Sequence, residues 1–401
     1  MACDVRRLVP SCFLKTNVFH TDRIPPLARE TKPTVDSRTM EPAVEIPSPT
    51  IAALDAARFA SWYASFAAHT FETRLVRVPA AFVRYALSDG VVAGETNAAL
   101  PVRVERDAFD AAESAERFAD ANEEEATDEE ARRAFADFER DVANAIEELK
   151  GEVAPKFAWS APKDAVWVSA GNTMKCRNVD EVVMLLKSSD SVAHDLTEAY
   201  GACRDYSNQG EEGESEEERA IRQHETTVLA LREWFDLNPS MEFRCFVKNK
   251  NLIGISQRHV NDFYDFLLRD KDSIEDAIAI FWEANISGSS WHSEQVDYVF
   301  DVYVTPKTKK VKIVDFNVWG GTTLPLLFEW HELEAMEAGS AVAEGDDARG
   351  YADNIEFRII ESQGHIRPGL QLGVPFDLYD TTQGGAIAEF LQEQRRQQEG
   401  Q

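Results

Sequence analysis

Between Tyr298 and Asn317 the chain reads YVFDVYVTPKTKKVKIVDFN. Two runs rich in Val, Ile, Tyr and Phe, Tyr298 to Val304 and Val311 to Asn317, flank a Pro-Lys turn, the pattern of a β-hairpin. Side chains alternate along a strand, so Val311, Ile313, Asp315 and Asn317 are expected on one face, and Val299, Asp301 and Tyr303 on one face of the preceding strand. With Pro306 to Lys310 as the loop, Thr305 pairs with Val311, and counting back sets Asp301 opposite Asp315. Carboxylates facing each other across a ladder repel, which leaves two readings. Either the hairpin end is solvated and Asp315 and Asn317 begin a turn, or the pair holds a cation. Mg²⁺ takes one or two carboxylates together with phosphate oxygens and water, and Asn317 adds a neutral oxygen. A register slip of one residue would part the two carboxylates.

Upstream, EFRCFVKNKNLIGISQR (Glu242 to Arg258) is a second strand-turn-strand. A three-residue turn, Lys248 to Lys250, brings Glu242 opposite Arg258 and Arg244 opposite Ser256. That set reads either as a hairpin ion pair or as a ligand contact. In PKFAWSAPKDAVW (Pro155 to Trp167), Lys156 and Lys163 stand with two tryptophans around Pro162, where a loop can lay an ammonium on a phosphate. Helices are expected where Asn178 and Glu181 make a capping box, ending at Lys187 to Asp190, and from Ser273 to Ala284 with Ser273 and Asp276 as the box. Phe135, Phe138, Val142 and Ile146 recur at helical spacing after an acidic insert, residues 105–135, and GEEGESEEER (Gly210 to Arg219) reads as a second acidic loop. Strand pairs interleaved with helices give an α+β protein.

The 401 residues carry 71 acidic and 42 basic side chains, a net charge of −29, which argues against a broad footprint on nucleic acid or anionic membrane. The five cysteines are scattered, with no C-x-x-C pair, so neither a disulfide framework nor a zinc site is indicated and a reducing compartment, the cytoplasm, fits. No stretch approaches the ~20 apolar residues of a membrane span. G-x-x-x-x-G-K-[ST], G-x-G-x-x-G, the kinase motifs and H-E-x-x-H are all absent. The domain reading is a disordered extension over 1–50, a first lobe over 51–235 that includes the acidic insert, a second lobe over 236–345 with the candidate metal-binding strands, and a C-terminal wrapping segment and disordered tail over 346–401.

Taken together, FASWY, PKFAWSAPKDAVW, LKSSD, LREW, EFRCFVKNKNLIGISQR, FDVYV and VDFNVWGG...PLLFEW resemble the cell division cycle protein 123 family, in order from about Phe59 to about Leu391. The resemblance implies an ATP-grasp-like fold with two lobes of antiparallel sheet flanked by helices and a nucleotide site between them. It implies binding of ATP and Mg²⁺, and a role as an assembly chaperone of eukaryotic translation initiation factor two that engages the gamma subunit and promotes joining of the alpha subunit. Carried residue by residue, it assigns Lys156, Trp159, Ala161 and Lys163 to the nucleotide from the first lobe, and Arg232, Glu233 and Trp234 to the adenine-facing hinge. Glu242, Arg244, Ser256 and Arg258 would line ribose and phosphates, and Asp301, Asp315 and Asn317 would hold the metal. Ala158, Lys163, His259 and Val318 depart from the family pattern, which has Asn, Arg, Asp and Pro there; at Lys163 the charge survives but the planar fork is lost. The alternative is an ATP-grasp carboxylate-amine ligase, which would release ADP in response to a small acid. An acidic scaffold without nucleotide is a third reading, and it requires that Mg-ATP not bind.

Overall fold

The computed structural model describes residues 46–88, 117–207, 215–336 and 355–364, with only the backbone described over 117–128 and at 216. In chain order the elements are α1 (Ile51–Ala57), α2 (Phe59–Phe66), β1 (Thr73–Arg77), α3 (Ala80–Leu87), α4 (Arg117–Glu148), β2 (Val153–Phe157), α5 (Val179–Lys187), α6 (Asp190–Thr197) and α7 (Glu216–Gln223). They continue with β3 (Val228–Glu233), β4 (Glu242–Lys248), β5 (Asn251–Gln257), α8 (Leu267–Trp282), α9 (Ser290–Glu294), β6 (Tyr298–Val304), β7 (Val311–Val318), α10 (Trp330–Ala335) and β8 (Glu356–Arg358). The α+β expectation holds.

The strands form a three-stranded sheet, β1-β3-β2, and a five-stranded sheet, β7-β6-β4-β5-β8. The first is antiparallel throughout, and Pro155 sits in β2 without disrupting it because β2 is an edge strand. The second was expected to be antiparallel, but β8, from the segment read as wrapping, pairs parallel with β5. Two cores follow from the apolar periodicities. Phe82, Phe135, Phe138, Val142, Val182 and Leu185 from α3, α4 and α5 pack on Phe157 and Leu229 of the first sheet. Phe59, Trp62 and Phe66 of α2, with Ile274, Ile278 and Trp282 of α8, pack on Phe243, Phe300 and Phe316 of the second.

Both hairpins reach the expected register near the site by a different route from the one counted. In β4–β5 the loop is two residues, with Asn249 and Lys250 both in the left-handed region (φ 49° and 64°). A bulge beyond Phe246 then restores Arg244 opposite Ser256. In β6–β7, Val304 rather than Thr305 pairs with Val311, and a bulge between Asp301 and Val302 restores Asp301 opposite Asp315. That bulge also overturns the expected shared face. Val311, Ile313 and Phe316 all enter the core, so Asp315 and Asn317 point away from it.

Helix boundaries differ where polar runs were read as loops. Asn178 caps α5 as expected, its side chain accepting from the Glu181 amide at 2.9 Å. The acidic insert is helical from Arg117, as a run of Glu, Ala and Arg favours, and Ser215 with Glu218 makes a capping box for α7 inside the second acidic stretch. Ser273 does not start a helix: α8 begins at Leu267, and the Ser273 hydroxyl donates back to the Asp270 carbonyl at 2.8 Å. Residues 1–45, 89–116 with the first part of the acidic insert, 208–214 of the second acidic stretch, and 337–354 and 365–401 of the C-terminal segment and tail lie outside the described residues.

Pro47 to Thr50, read as part of a disordered extension, are packed. The Pro47 carbonyl accepts from Gly321, the Pro49 carbonyl from Arg204, and the Leu54 carbonyl from the Trp159 indole at 2.7 Å. Gly320 has φ +80°, and a Cβ there would lie 1.8 Å from the Pro47 carbonyl oxygen. Gly320→Ala is therefore expected to cost at least ~1–3 kcal/mol from the strained φ alone. Thermal denaturation should register this loss, and limited proteolysis should cut residues 46–58 faster than in the wild type.

Candidate functional site

A cavity of about 350 Å³ lies between the two sheets, lined by β2, β3, the segment after β3, the start of β4 and the middle of β6 and β7. It has two chemically distinct ends. Phe71, Met174, Trp234, Phe235, Leu237 and Val314 supply a mainly apolar end, with Arg232, Glu233 and Asp236 of the same stretch also in the lining. Lys156, Lys163, Glu242, Arg258, Asp301 and Asp315 supply a charged end. The size falls in the ordinary range for small-molecule sites.

The charged end is an ion network. Arg244 grips Asp301 with a fork, Nε to Oδ1 at 2.8 Å and Nη2 to Oδ2 at 3.0 Å, while Nη1 donates to the Leu324 carbonyl. Arg258 reaches the same carboxylate at 3.2 Å and Glu242 at 3.9 Å. Lys156 Nζ lies 2.6 Å from Asp315 Oδ2 and also donates to the Trp159 carbonyl. Asp301 is 2% exposed, and burial alone would raise its pKa, but Arg244 and Arg258 hold it well below the usual carboxylate range. Glu242 is likewise held low, against burial, by His259, Lys163 and Arg258. Lys163 is exposed to the cleft, and Arg258 first, then desolvation, lowers its ammonium to about 8. Four cations (Lys156, Lys163, Arg244, Arg258) face three carboxylates (Glu242, Asp301, Asp315), so this end of the cavity is locally positive in a strongly acidic chain.

The sequence-predicted residues distribute as follows. Lys156, Ala161, Lys163, Arg232, Glu233, Trp234, Glu242, Arg258, Asp301 and Asp315 line the cavity together. Trp159 and Asn317 line an adjoining cavity of about 310 Å³ that shares Ala161, Lys163, Arg258 and Asp315 with the first. Arg244 and Ser256 line neither. Arg244 lies beneath, holding Asp301, and the fully buried Ser256 hydroxyl donates to the Gln257 carbonyl and accepts from the Leu327 amide at 3.2 Å. Glu233 pairs with Lys150, and Lys175 sits over the Trp234 ring at 5.4 Å. His259, one of the departures, faces Glu242 at 3.2 Å.

Sequence reasoning missed the apolar end, whose Phe71, Met174 and Leu237 come from three distant segments. It also missed Asp195 at the second turn of α6. Both its oxygens are used by the loop carrying Lys163: Oδ2 accepts from the Trp159 and Ser160 amides at 3.1 and 2.8 Å, and Oδ1 from the Ser160 hydroxyl at 2.8 Å. Burial pushes this carboxyl up to about 7 in spite of those donors. Nothing in the motif around Asp195 announces the role.

The donor set suits one kind of metal. Among the described residues no three His, Cys, Asp or Glu side chains converge as an all-protein cage. Both Asp301 oxygens are taken by Arg244 and Arg258, and the Asn317 amide nitrogen also reaches Asp301 at 3.5 Å, so the half-buried Asp315 and the Asn317 oxygen form the partial shell, which fits an Mg²⁺ that keeps water and phosphate oxygens as its other ligands.

The chain matches the family model described as D123 over residues 62–382. It is 35% identical to the cell division cycle protein 123 of Phaeosphaeria nodorum, over 82% of this chain and 91% of that one. It is 32% identical to a Xenopus tropicalis protein named translation initiation factor eIF2 assembly protein, over 85% of this chain and 96% of that one. The solved structure of Cdc123 from Schizosaccharomyces pombe superposes with a TM-score of 0.55 at 29% identity, covering 78% of this chain and 98% of that one. Among the described residues no helix is long and apolar enough to cross a membrane. On sequence and fold together, the chain belongs to the D123, or cell division cycle protein 123, family.

Proposed function

We propose that the cleft binds ATP with Mg²⁺ and that the protein is an assembly chaperone of eIF2 acting in the cytoplasm, engaging the gamma subunit and promoting its joining to alpha. One observation carries the nucleotide reading: a single cavity joins an apolar slot to a locally positive end with two opposed carboxylates. Base and ribose suit the first end, and phosphates with magnesium the second. The two sheets with the cleft between them correspond to an ATP-grasp-like pair of lobes. Asp315 and Asn317 would hold the ion with Asp301 behind them, and the ion supplies charge neutralisation for the phosphates. Lys156, Lys163 and Arg258 orient the phosphates, and the segment from Glu233 to Leu237 sets the base. The eIF2 role follows from the names of the relatives, and the gamma subunit from the family resemblance. Nucleotide binding that clamps the lobes, rather than turnover, is the function supported best.

The adjoining cavity favours a second reading, because it offers room for another ligand beside Lys163 and Arg258, which line both cavities. In that reading the protein is a carboxylate-amine ligase. Gel filtration of the full chain with the eIF2 gamma subunit separates the two. Co-elution strengthened by Mg-ATP, with no ADP formed, is expected. Absence of co-elution, together with ADP release that scales with an added carboxylic acid, would transfer the function to the ligase.

A further inference from the structure

The bulge in β6–β7 leaves Val314 without a partner in the ladder, between Ile313 and Asp315. Two side chains from outside the five-stranded sheet take the carbonyls of Ile313 and Val314 at this point of the edge strand β7. The Thr70 hydroxyl, just ahead of β1, donates to the Ile313 carbonyl at 2.7 Å. Arg232 of β3 donates through Nη1 to the Val314 carbonyl at 2.8 Å and through Nη2 to the Thr70 hydroxyl at 2.9 Å. The guanidinium lies 5.3 and 5.0 Å from the Phe59 and Phe71 rings, which fix its plane. Thr70 is buried and lies outside the lining of the nucleotide cavity.

This bulge is also what turns Asp315 and Asn317 toward the cleft while Ile313 and Phe316 stay in the core. We propose that Thr70 and Arg232 form a latch that holds the bulge, and thereby act as positioning residues for the metal-facing end of β7, transmitting the placement of the first sheet to Asp315 and Asn317. The inference rests on the Mg-ATP reading of the cleft and deepens it, since Arg232 acts on the metal strand through Val314 rather than on the adenine.

A buried backbone carbonyl that loses its donor must find another or shift, so removing the hydroxyl should loosen the bulge selectively. The test is Thr70→Val, compared with wild type for ATP affinity in EDTA and in Mg²⁺ and for amide hydrogen exchange across residues 311–318 without nucleotide. Affinity in EDTA is expected to stay within about twofold, while the gain from Mg²⁺ falls at least about tenfold and exchange at 315–317 rises by a similar factor, with β4 and β5 unchanged. Thr70→Ser should restore both, and Arg232→Met should add less in the T70V background than alone, because the two residues share one network. Arg232→Lys, which keeps a donor for one carbonyl, should give an intermediate rise in exchange at 315–317, and that exchange measurement, independent of nucleotide, carries the test should T70V not fold. Equal losses of affinity with and without Mg²⁺, or unchanged exchange at 315–317, would overturn the latch. A wild type that gains nothing from Mg²⁺ sinks the metal reading, and the exchange measurement then still decides whether the latch holds the bulge.

Discussion

Asp301→Ala is expected to lower the unfolding free energy by roughly 3–5 kcal/mol, the cost of removing one partner from a buried ion network. The carboxylate is buried under the Arg244 fork and a second contact from Arg258. Without it, two largely buried guanidinium groups close to one another would keep their charge; Glu242, the next carboxylate, is 3.9 Å from Arg258 and already faces His259. Asp301→Asn preserves shape and an acceptor oxygen but not charge, so it should recover only part of the loss. Asp315→Ala should cost much less, because Asp315 is more exposed and its partner Lys156 retains the Trp159 carbonyl. Urea denaturation at constant slope measures the difference. A midpoint for D301A as high as that for D315A would mean that Asp301 is not the anchor of the network.

The second large effect is on affinity. Arg258 lines both cavities and sits between Asp301 and Glu242, which place its guanidinium where phosphates would arrive. A charge-assisted contact of this kind is worth about 1.5–3 kcal/mol, so Arg258→Ala should weaken ATP binding roughly 10- to 100-fold. The loss should shrink from ATP to ADP to AMP and vanish for adenosine, because Arg258 belongs with Asp301 and Glu242 to the charged end. Removing Arg258 also relieves the largest influence lowering the Lys163 ammonium, which returns toward its usual pKa and compensates in part at alkaline pH. Competition titrations with the four ligands give the slope, and an equal loss for adenosine would place Arg258 against the base.

Much of this site was legible because its residues lie on strands. Alternation and the counted turns lead to Asp301 opposite Asp315 and Arg244 opposite Ser256, the pairs the structure has, although by a different route. In each hairpin the loop was misjudged by one residue, and a bulge absorbed the difference. A bulge has no signature in a run such as KIVDF, so the reversal of face between Ile313 and Asp315 was invisible, as were the carbonyls that Thr70 and Arg232 take there. Polar helices were hidden for another reason. The stretches from Arg117 and Glu216, and the first turns of α8, are charged enough to resemble loops, and their helicity rests on propensity, capping and the apolar residues further along. The apolar end of the cavity was unreadable, because which of the chain's 23 phenylalanines faces a cleft depends on packing between elements far apart in sequence.

The pairing of a nucleotide with a metal strand is the centre of the account, and Asp315 is the residue on which it turns. Calorimetric titration of ATP into wild type and Asp315→Ala, each with and without Mg²⁺, tests it most directly. The wild type should bind ATP at least tenfold more tightly with Mg²⁺, and the variant, still folded, should bind equally in both conditions. A variant that keeps the full gain from Mg²⁺ would remove Asp315 from the metal site and contradict the account.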